Sequence, residues 1–318
     1  MTAGFNIQPL CEFFGVSRSG FYAWRQVQAS PSRRQSDNEK LSQKIQRIHR
    51  DHRCLYGSPK ITQALRQQGV KCGHNRVARL MRLGGIRGVQ SKAFVPRTTD
   101  SNHPNPVAPN LLGQLPEPPS ALNQVWVTDI TYLPSTGGWL YLAAVMDLAS
   151  RKIIGWHLEN HLRTSLPLQA LHRAICARKP ATQVIHHSDR GCQYTSLEYN
   201  QALKQAGLIP SMSATGCCYD NAAMESFWSI LKREIGVNSF QSQAQARRHL
   251  FEYIEVFYNR KRLHSSLGYQ APEAFESGKL RTTFERKERQ NSRRPLPPFS
   301  KQSKPNPPVA ALQSNPTV

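Results

Sequence analysis

The chain has 318 residues, a formal net charge of +22 and a pI of about 10.2. Hydrophobic residues make up 39% of it, which is enough for a buried core, and the length suggests two or three domains. Such an excess of positive charge indicates a polyanionic partner. Because Lys and Arg are dense in the first half as well as in the tail, we expect nucleic acid rather than a merely basic tail.

The cysteines and the apolar runs exclude several classes of protein. Seven cysteines without a CxxC pair indicate a reducing compartment and no structural zinc. No run approaches the ~20 apolar residues of a membrane span, and the N-terminus lacks the charged and apolar regions of a signal peptide. We therefore expect a soluble cytoplasmic protein without membrane contact.

Residues 1–33 predict a helix-turn-helix. A short apolar helix ends near Phe14, and Gly15 to Ser17 supply a turn and a candidate N-cap for the second helix. Arg18 and Arg25 on that second helix are available to face a DNA groove. An ordinary helical hairpin is the alternative.

Residues 36–90 predict a second helical module that binds DNA. The expected helix starts are Asp37, Pro59 and Asn75. The polar face of the third helix carries Arg76 and Arg79 without any Glu to pair with them, which favours DNA contact over a solvated face.

The sequence of the remaining chain predicts a linker, a folded core and a tail. Residues 91–120 are rich in proline and predict an extended linker. Residues 121–280 predict the order β-β-β-α-β-α-β-α, a mixed α/β fold that begins with a three-strand meander. Residues 281–318 are basic and rich in proline, and predict a disordered tail.

Three scarce carboxylates lie in this core. Asp129 is inside the apolar run Val125–Leu133, Asp189 ends a second apolar run, and Glu225 begins a helix-like stretch. Carboxylates on two neighbouring strands and one helix can meet and hold hard divalent cations. That arrangement suits metal-assisted phosphoryl transfer. An acid inside an apolar strand is costly without a partner, which favours this interpretation over three surface charges.

The segments around these acids resemble a known family. They read Trp126-Val-Thr-Asp129-Ile-Thr-Tyr, His187-Ser-Asp189-Arg-Gly-Cys-Gln-Tyr-Thr-Ser196 and Tyr219-Asp-Asn-Ala-Ala-Met-Glu225-Ser-Phe-Trp. They are similar to bacterial insertion-sequence transposases of the two-frame orfA/orfB kind (insertion sequence family 3, orfB product). The resemblance covers roughly residues 5–278, and it implies a ribonuclease-H-like integrase core preceded by small helix-turn-helix modules.

The resemblance implies that Asp129, Asp189 and Glu225 are the catalytic triad of a DDE transposase and hold two Mg²⁺ or Mn²⁺ ions. Water would free a 3′-OH at the element's end, and that 3′-OH would join a second phosphodiester. The implied partners are double-stranded DNA, namely the terminal repeats and the target, further copies of the chain, and an upstream-frame helix-turn-helix protein. The implied location is the bacterial nucleoid.

Further basic residues are expected to contact DNA. Lys232 lies seven residues after Glu225 and therefore on the same helix face, where it would hold DNA near the scissile phosphate; a salt bridge is the alternative. Arg260, Arg262 and His264 form a dense cluster that suits phosphate contact or, alternatively, a solvated charge run.

Two further polar residues and two other functions are considered. Asp147 is expected to be structural and to lie outside the triad, and His187 is expected to orient Asp189, to contact phosphate or to be structural. A catalytically silent DNA-binding regulator and a structure-selective nuclease of the same fold are the alternative functions.

Overall fold

A computed structural model describes residues 7–29, 32–89, 106–180, 183–213, 221–236 and 239–292. Its helices are α1 (Ile7–Phe13), α2 (Arg18–Ala29), α3 (Arg33–Asp51), α4 (Ser58–Gln67), α5 (His74–Leu83), α6 (Ser165–Arg178), α7 (Leu197–Gln205), α8 (Ala222–Ile235), α9 (Gln243–Phe251) and α10 (Pro272–Ser292). Its strands are β1 (Val125–Ser135), β2 (Gly138–Asp147), β3 (Ile153–Glu159), β4 (Ile185–Ser188) and β5 (Ile209–Met212). A π-helical stretch, Glu252–Tyr258, continues α9.

The five strands form one mixed sheet in the order β3-β2-β1-β4-β5. The first three strands are an antiparallel meander, whereas β4 pairs in parallel with β1 and β5 pairs in parallel with β4. With the following helices this is the predicted order β-β-β-α-β-α-β-α, so the α/β fold class is confirmed.

The alternation of side chains along β1 separates two cores, because successive residues of a strand point to opposite faces. Val125 and Val127 face a cluster built with α8, α9 and the π-helical stretch. Trp126 faces a second cluster built with α6 and α7. Gly155 on β3 permits close packing of α6, since an added Cβ would lie 2.3 Å from the carbonyl oxygen of Ala170. Asp129 shares the side of β1 that faces α8.

The predicted cap at Ser17 is confirmed, and a second hydroxyl, that of Ser196, also caps a helix. Ser17 Oγ accepts a hydrogen bond from the backbone of Gly20, and Ser196 caps α7 through the backbone of Tyr199. The predicted cap Asp37 is wrong, because Ser32 caps the helix one turn earlier.

The predicted start of α5 at Asn75 is also wrong. α5 begins at His74, after an extended Gly73, rather than at the predicted cap Asn75. No side chain forms a capping hydrogen bond at the start of this helix, so Asn75 does not act as its N-cap.

Helices α3, α4 and α5 form a three-helix module with its own core, which includes Ile45, Ile61 and Val77. Leu263, from the far end of the chain, completes that core. The backbone N–H of Leu263 donates to the Tyr56 hydroxyl over 2.8 Å. We call this contact between the three-helix module and residues 261–269 the joint.

Gln67 adds a second bond to the joint. Its Nε2 donates to the carbonyl oxygen of Tyr269 over 2.9 Å. Apolar packing and hydrogen bonds to the backbone therefore both attach the three-helix module to the residues that follow the π-helical stretch.

The predicted linker and tail are shorter than expected. The part of the linker from residue 106 onward is attached to the core: Leu111 N–H donates to Ser211 Oγ over 2.9 Å, and Leu112 and Leu115 pack on the α8 cluster. Its first part lies outside the described residues. α10 extends to Ser292, so the tail prediction is wrong for residues 281–292; residues 293–318 lie outside the described part.

The chain divides into two compact units between Glu276 and Ser277, and the described portion of the second unit is the C-terminal part of α10. None of the helices in the described ranges is long and apolar enough to cross a membrane.

Candidate active site

The pairing of β1 with β4 brings two of the predicted acids together. Val127 pairs with His187 in the parallel ladder; Asp129 lies two residues further along β1, and Asp189 follows the end of β4. This equal offset from the last paired residues brings the two carboxylates near each other, and the charge of Asp189 acts on Asp129. Both residues are partly buried at the end of β4.

Asp129 is held by two hydrogen bonds. Its Oδ1 accepts from the backbone N–H of Ile130 over 2.8 Å, and its Oδ2 accepts from Nε1 of Trp228 over 2.9 Å. Burial and, next, the charge of Asp189 raise the pKa of Asp129 to about 7, while the two hydrogen bonds and the more distant charge of Glu225 have smaller effects. The two hydrogen bonds therefore orient the carboxylate of Asp129, but they do not offset the cost of its negative charge.

Asp189 is oriented by the turn that follows it. The backbone N–H of Gly191 donates to Asp189 Oδ1 over 3.0 Å. A Cβ at Gly191 would lie 3.1 Å from the same oxygen, so a side chain there would press on the carboxylate. The sequence Asp-Arg-Gly thus supplies both the acid and the space beside it.

Glu225 is exposed in the first turn of α8, and its charge acts on Asp129. Within the described ranges, no three His, Cys, Asp or Glu side chains are grouped closely enough to ligate one metal ion. The structure therefore brings Asp129 and Asp189 together and leaves Glu225 within electrostatic range of them.

Trp228 is a site residue that the sequence prediction missed. It lies three residues after Glu225, on the same helix face, and it ties α8 to β1 through its bond to Asp129. The available signal was this spacing: a tryptophan one turn beyond a candidate acid can donate its indole N–H to a carboxylate.

Lys232 lies on α8, seven residues after Glu225. Burial lowers its pKa, and the negative charge of Asp129 opposes that effect. The half-buried ammonium therefore lies within electrostatic range of Asp129, while its contact with DNA stays a prediction.

The structure contradicts phosphate contact by Arg262 and His264. Arg262 is 4% exposed and donates two hydrogen bonds to Glu234, which also accepts from the Tyr253 hydroxyl. His264 is 8% exposed, and burial, followed by the charge of Arg262, lowers its pKa to about 3. Both side chains belong to the interior, so they cannot line a DNA surface.

The other predicted DNA contacts are on the surface. Arg18, Arg25, Arg79 and Arg260 are exposed, and Arg260 is ion-paired with Glu273 at 3.2 Å. Arg76 is partly buried and donates to Asn38 Oδ1 over 2.9 Å. DNA contact by these five arginines stays a prediction.

Asp147 and His187 have structural roles. Asp147 is fully buried and accepts hydrogen bonds from the backbone N–H groups of Asn123 and Ser150, which agrees with its exclusion from the triad. His187 is also fully buried, with ring nitrogens 2.9 Å from Ser211 Oγ and 3.1 Å from Ser213 Oγ. Of the three alternatives for His187, the structure supports the structural one.

Family models match most of the described core and the three-helix module. Two models described as "Integrase core domain" match residues 119–218 and 206–272, and one described as "HTH-like domain" matches residues 36–94. The integrase matches include Asp129 and Asp189 in the first and Glu225 in the second.

Curated relatives match most of the chain. The "Insertion element IS600 uncharacterized 31 kDa protein" of Shigella sonnei is 43% identical over 84% of this chain and 97% of that protein. The "Transposase InsF for insertion sequence IS3A" of Escherichia coli (strain K12) is 42% identical over 87% of this chain and 96% of that protein.

Two solved structures are more distantly similar. One is the simian T-cell lymphotropic virus intasome in complex with the PP2A regulatory subunit B56 gamma, with 12% identity, a TM-score of 0.43 and coverage of 85% of this chain and 80% of that one. The other is the HTLV-2 integrase catalytic core domain in complex with magnesium, with 13% identity, a TM-score of 0.39 and coverage of 49% and 99%.

Proposed function

We propose, from the premise that this chain belongs to the insertion-sequence transposases of the InsF kind, that Asp129, Asp189 and Glu225 are its catalytic carboxylates. The transposase function follows from family membership, and the integrase core implies polynucleotidyl transfer. The proposal assigns that activity to residues. The observation that supports it is the meeting of Asp129 and Asp189 at the end of β4, within range of the charge of Glu225.

The acids suit a divalent cation. They offer carboxylate oxygens, which Mg²⁺ and Mn²⁺ prefer. Burial and the neighbouring carboxylate raise the pKa of Asp129, and that unfavourable charge is what a bound cation would neutralise. When bound to Asp129, Asp189 and Glu225, two such ions would supply Lewis-acid stabilisation of the charge that develops at the phosphate.

The surrounding side chains orient the acids and the DNA. Trp228 fixes one oxygen of Asp129, and the backbone of Gly191 fixes one oxygen of Asp189. Lys232 would hold the DNA phosphate by charge at the scissile position. In this assignment, cleavage frees a 3′-OH at the element's end, and the same site then joins that 3′-OH to target DNA.

The proposed partners follow from the substrate. Terminal repeats and target DNA must reach the site together, so we infer a complex of several copies of the chain on DNA, at the bacterial nucleoid. An upstream-frame helix-turn-helix protein is a further proposed partner. The exposed arginines Arg18, Arg25, Arg79 and Arg260 are the proposed contacts with the DNA backbone.

One assay tests the assignment. The purified protein is incubated with Mg²⁺ and labelled DNA that carries the inverted repeats flanking the gene. We expect strand-joined products from the wild-type protein and none from Asp189→Asn, whereas the exposed acid Glu198, changed to Gln, should leave joining intact.

Other outcomes would contradict the assignment. Joining by Asp189→Asn would remove that residue from the triad. Cleavage without joining by the wild-type protein would instead support a structure-selective nuclease, and binding with neither reaction would support a silent regulator.

A further inference from the structure

One carboxylate lies among several cations where the three-helix module meets α8. Arg262 occupies both oxygens of Glu234, because its Nε and Nη2 each donate to one of them over 2.8 Å. The Tyr253 hydroxyl donates to the same carboxylate. Arg233, the neighbour of Glu234 on α8, has its Nη2 3.7 Å from Glu234 Oε1, which is beyond hydrogen-bond distance. Glu234 therefore compensates Arg262 and leaves Arg233 weakly paired.

Lys60 is a further cation at this place, and it comes from the three-helix module. Its Nζ lies over the ring of Tyr56, 5.0 Å from the ring centroid. The Tyr56 hydroxyl accepts a hydrogen bond over 2.8 Å from the backbone of Leu263, the residue that follows Arg262. These contacts place Lys60 beside the pair of Arg262 and Glu234. In the part of the chain that the structure describes, the Lys60 ammonium forms neither an ion pair nor a hydrogen bond.

The positive charges of Lys60 and Arg233 are held at a cost. Burial and, next, the charge of Arg262 lower the pKa of Lys60 to about 8, and the charge of Arg233 adds to this effect. Lys60 also lies in the first turn of α4, where a positive charge opposes the helix dipole. Arg233 Nε is buried and has no hydrogen-bond partner among the described residues. A bound anion would offset these unfavourable charges.

Lys60 and Arg233 can be reached from solvent, whereas Arg262 cannot. Lys60 is partly exposed, and the side chain of Arg233 is 24% exposed. The side chain of Arg262 is only 4% exposed. An incoming anion would therefore meet Lys60 and Arg233, with the pair of Arg262 and Glu234 behind them.

We propose that Lys60 and Arg233 together bind one phosphate of the DNA backbone, at the place where the three-helix module meets α8. The inference rests on the proposed function for its ligand, because DNA is the polyanion on which that function acts. The oxygens of one phosphate can accept from an ammonium and a guanidinium at the same time. Since α8 also carries Glu225, this phosphate would fix the DNA to the three-helix module and to the active-site helix at once.

The test is a titration of a fluorescent duplex that carries the inverted repeat, at several salt concentrations and without divalent metal, so that it does not depend on catalysis. Lys60→Met and Arg233→Met should each weaken binding roughly 10-fold at low salt. The double variant should lower the slope of log affinity against log salt by about 1 rather than about 2, because both cations meet the same phosphate. For the same reason the two losses of affinity should not add.

Two controls separate phosphate binding from a structural role. Lys60→Met removes a poorly compensated charge, so its urea midpoint at pH 7 should be at least that of the wild-type protein while its DNA binding is weaker. A merely structural lysine would not move these two measurements in opposite directions. Lys204→Met changes an exposed lysine on α7 and should leave both affinity and slope unchanged.

Wild-type binding by either Lys60→Met or Arg233→Met, or additive losses in the double variant, would overturn the shared phosphate site. The proposed function would still be decided separately, by joining with wild-type protein and its absence with Asp189→Asn.

Discussion

Arg262 and Glu234 form an ion pair in the protein interior, with Arg262 Nε and Nη2 each donating to a different carboxylate oxygen over 2.8 Å. Their side chains are 4% and 5% exposed. Glu234 lies on α8, the helix that carries Glu225 and Trp228, and Arg262 precedes Leu263, which completes the core of the three-helix module. The pair therefore connects the active-site helix to the joint.

Arg262→Ala should destabilise the protein by about 3 to 5 kcal/mol, because it leaves the Glu234 carboxylate buried without its partner. Urea denaturation followed by circular dichroism measures this. Arg260→Ala, two residues away and 64% exposed, is the matched control and should change stability by less than about 0.5 kcal/mol. Similar midpoints for the two variants would show that the interior ion pair contributes little.

Trp228→Phe should slow strand joining about 10- to 100-fold, because the ring stays buried while the hydrogen bond that orients Asp129 is lost. Trp156→Phe is the matched control: Trp156 is equally 6% exposed, and its Nε1 donates to Glu255 Oε1 over 2.8 Å rather than to a carboxylate of the candidate site. Both variants should lose similar stability. Equal rates of joining in the two would contradict a role for Trp228 at the site.

Lys232→Ala should weaken DNA binding and reduce the slope of log affinity against log salt by about 1, since one phosphate contact is removed. Titrations at several salt concentrations measure this. Lys204→Ala, which changes an exposed lysine on α7, should leave the slope unchanged. An unchanged slope with Lys232→Ala would assign its ammonium to the carboxylates alone.

Lys60→Met should stabilise the protein at pH 7 by about 1 to 2 kcal/mol. Burial, followed by the charge of Arg262, lowers the pKa of Lys60 from 10.5 to about 8. Between pH 8 and 10.5 the unfolded chain therefore binds more protons than the folded chain, so this lysine's destabilising effect is complete below pH 8 and disappears as the pH rises to 10.5.

The comparison is made by urea denaturation at pH 7 and pH 10, with Lys71→Met as the exposed control. The advantage of Lys60→Met over wild type should shrink at the higher pH. An advantage of the same size at both values would mean that the lysine's charge is not the cause.

The strand order and the pairing of Asp129 with Asp189 could be predicted because both follow from local patterns. Alternating apolar residues mark each strand, and an acid at the same offset in two neighbouring parallel strands predicts a meeting point. The polarity of a short segment, however, does not reveal whether a charge is solvated or buried. Arg262 has its partner 28 residues earlier in the chain, and nothing in its own neighbourhood predicts Glu234.

The joint could not be predicted either, because its two partners are far apart in the sequence. Tyr56 and Leu263 are 207 residues apart in the chain, and each lies in a segment that reads as an ordinary part of its own module. The early start of α3 was missed because Arg33 and Arg34 carry no apolar periodicity, and Ser32 alone marks the boundary. Patterns of apolar spacing locate the middle of a helix better than its ends.

Leu263 completes the core of the three-helix module, which ends some 170 residues earlier in the chain. This contact limits how genes for related chains can recombine. A crossover between two related elements in the segment joining the three-helix module to the sheet would pair one parent's Tyr56 with the other's Leu263. The chimeric protein would fold well only where the residues from the two parental proteins have complementary shapes at this contact. The two modules are therefore expected to be inherited together, and successful chimeras to exchange residues 261–269 along with the three-helix module.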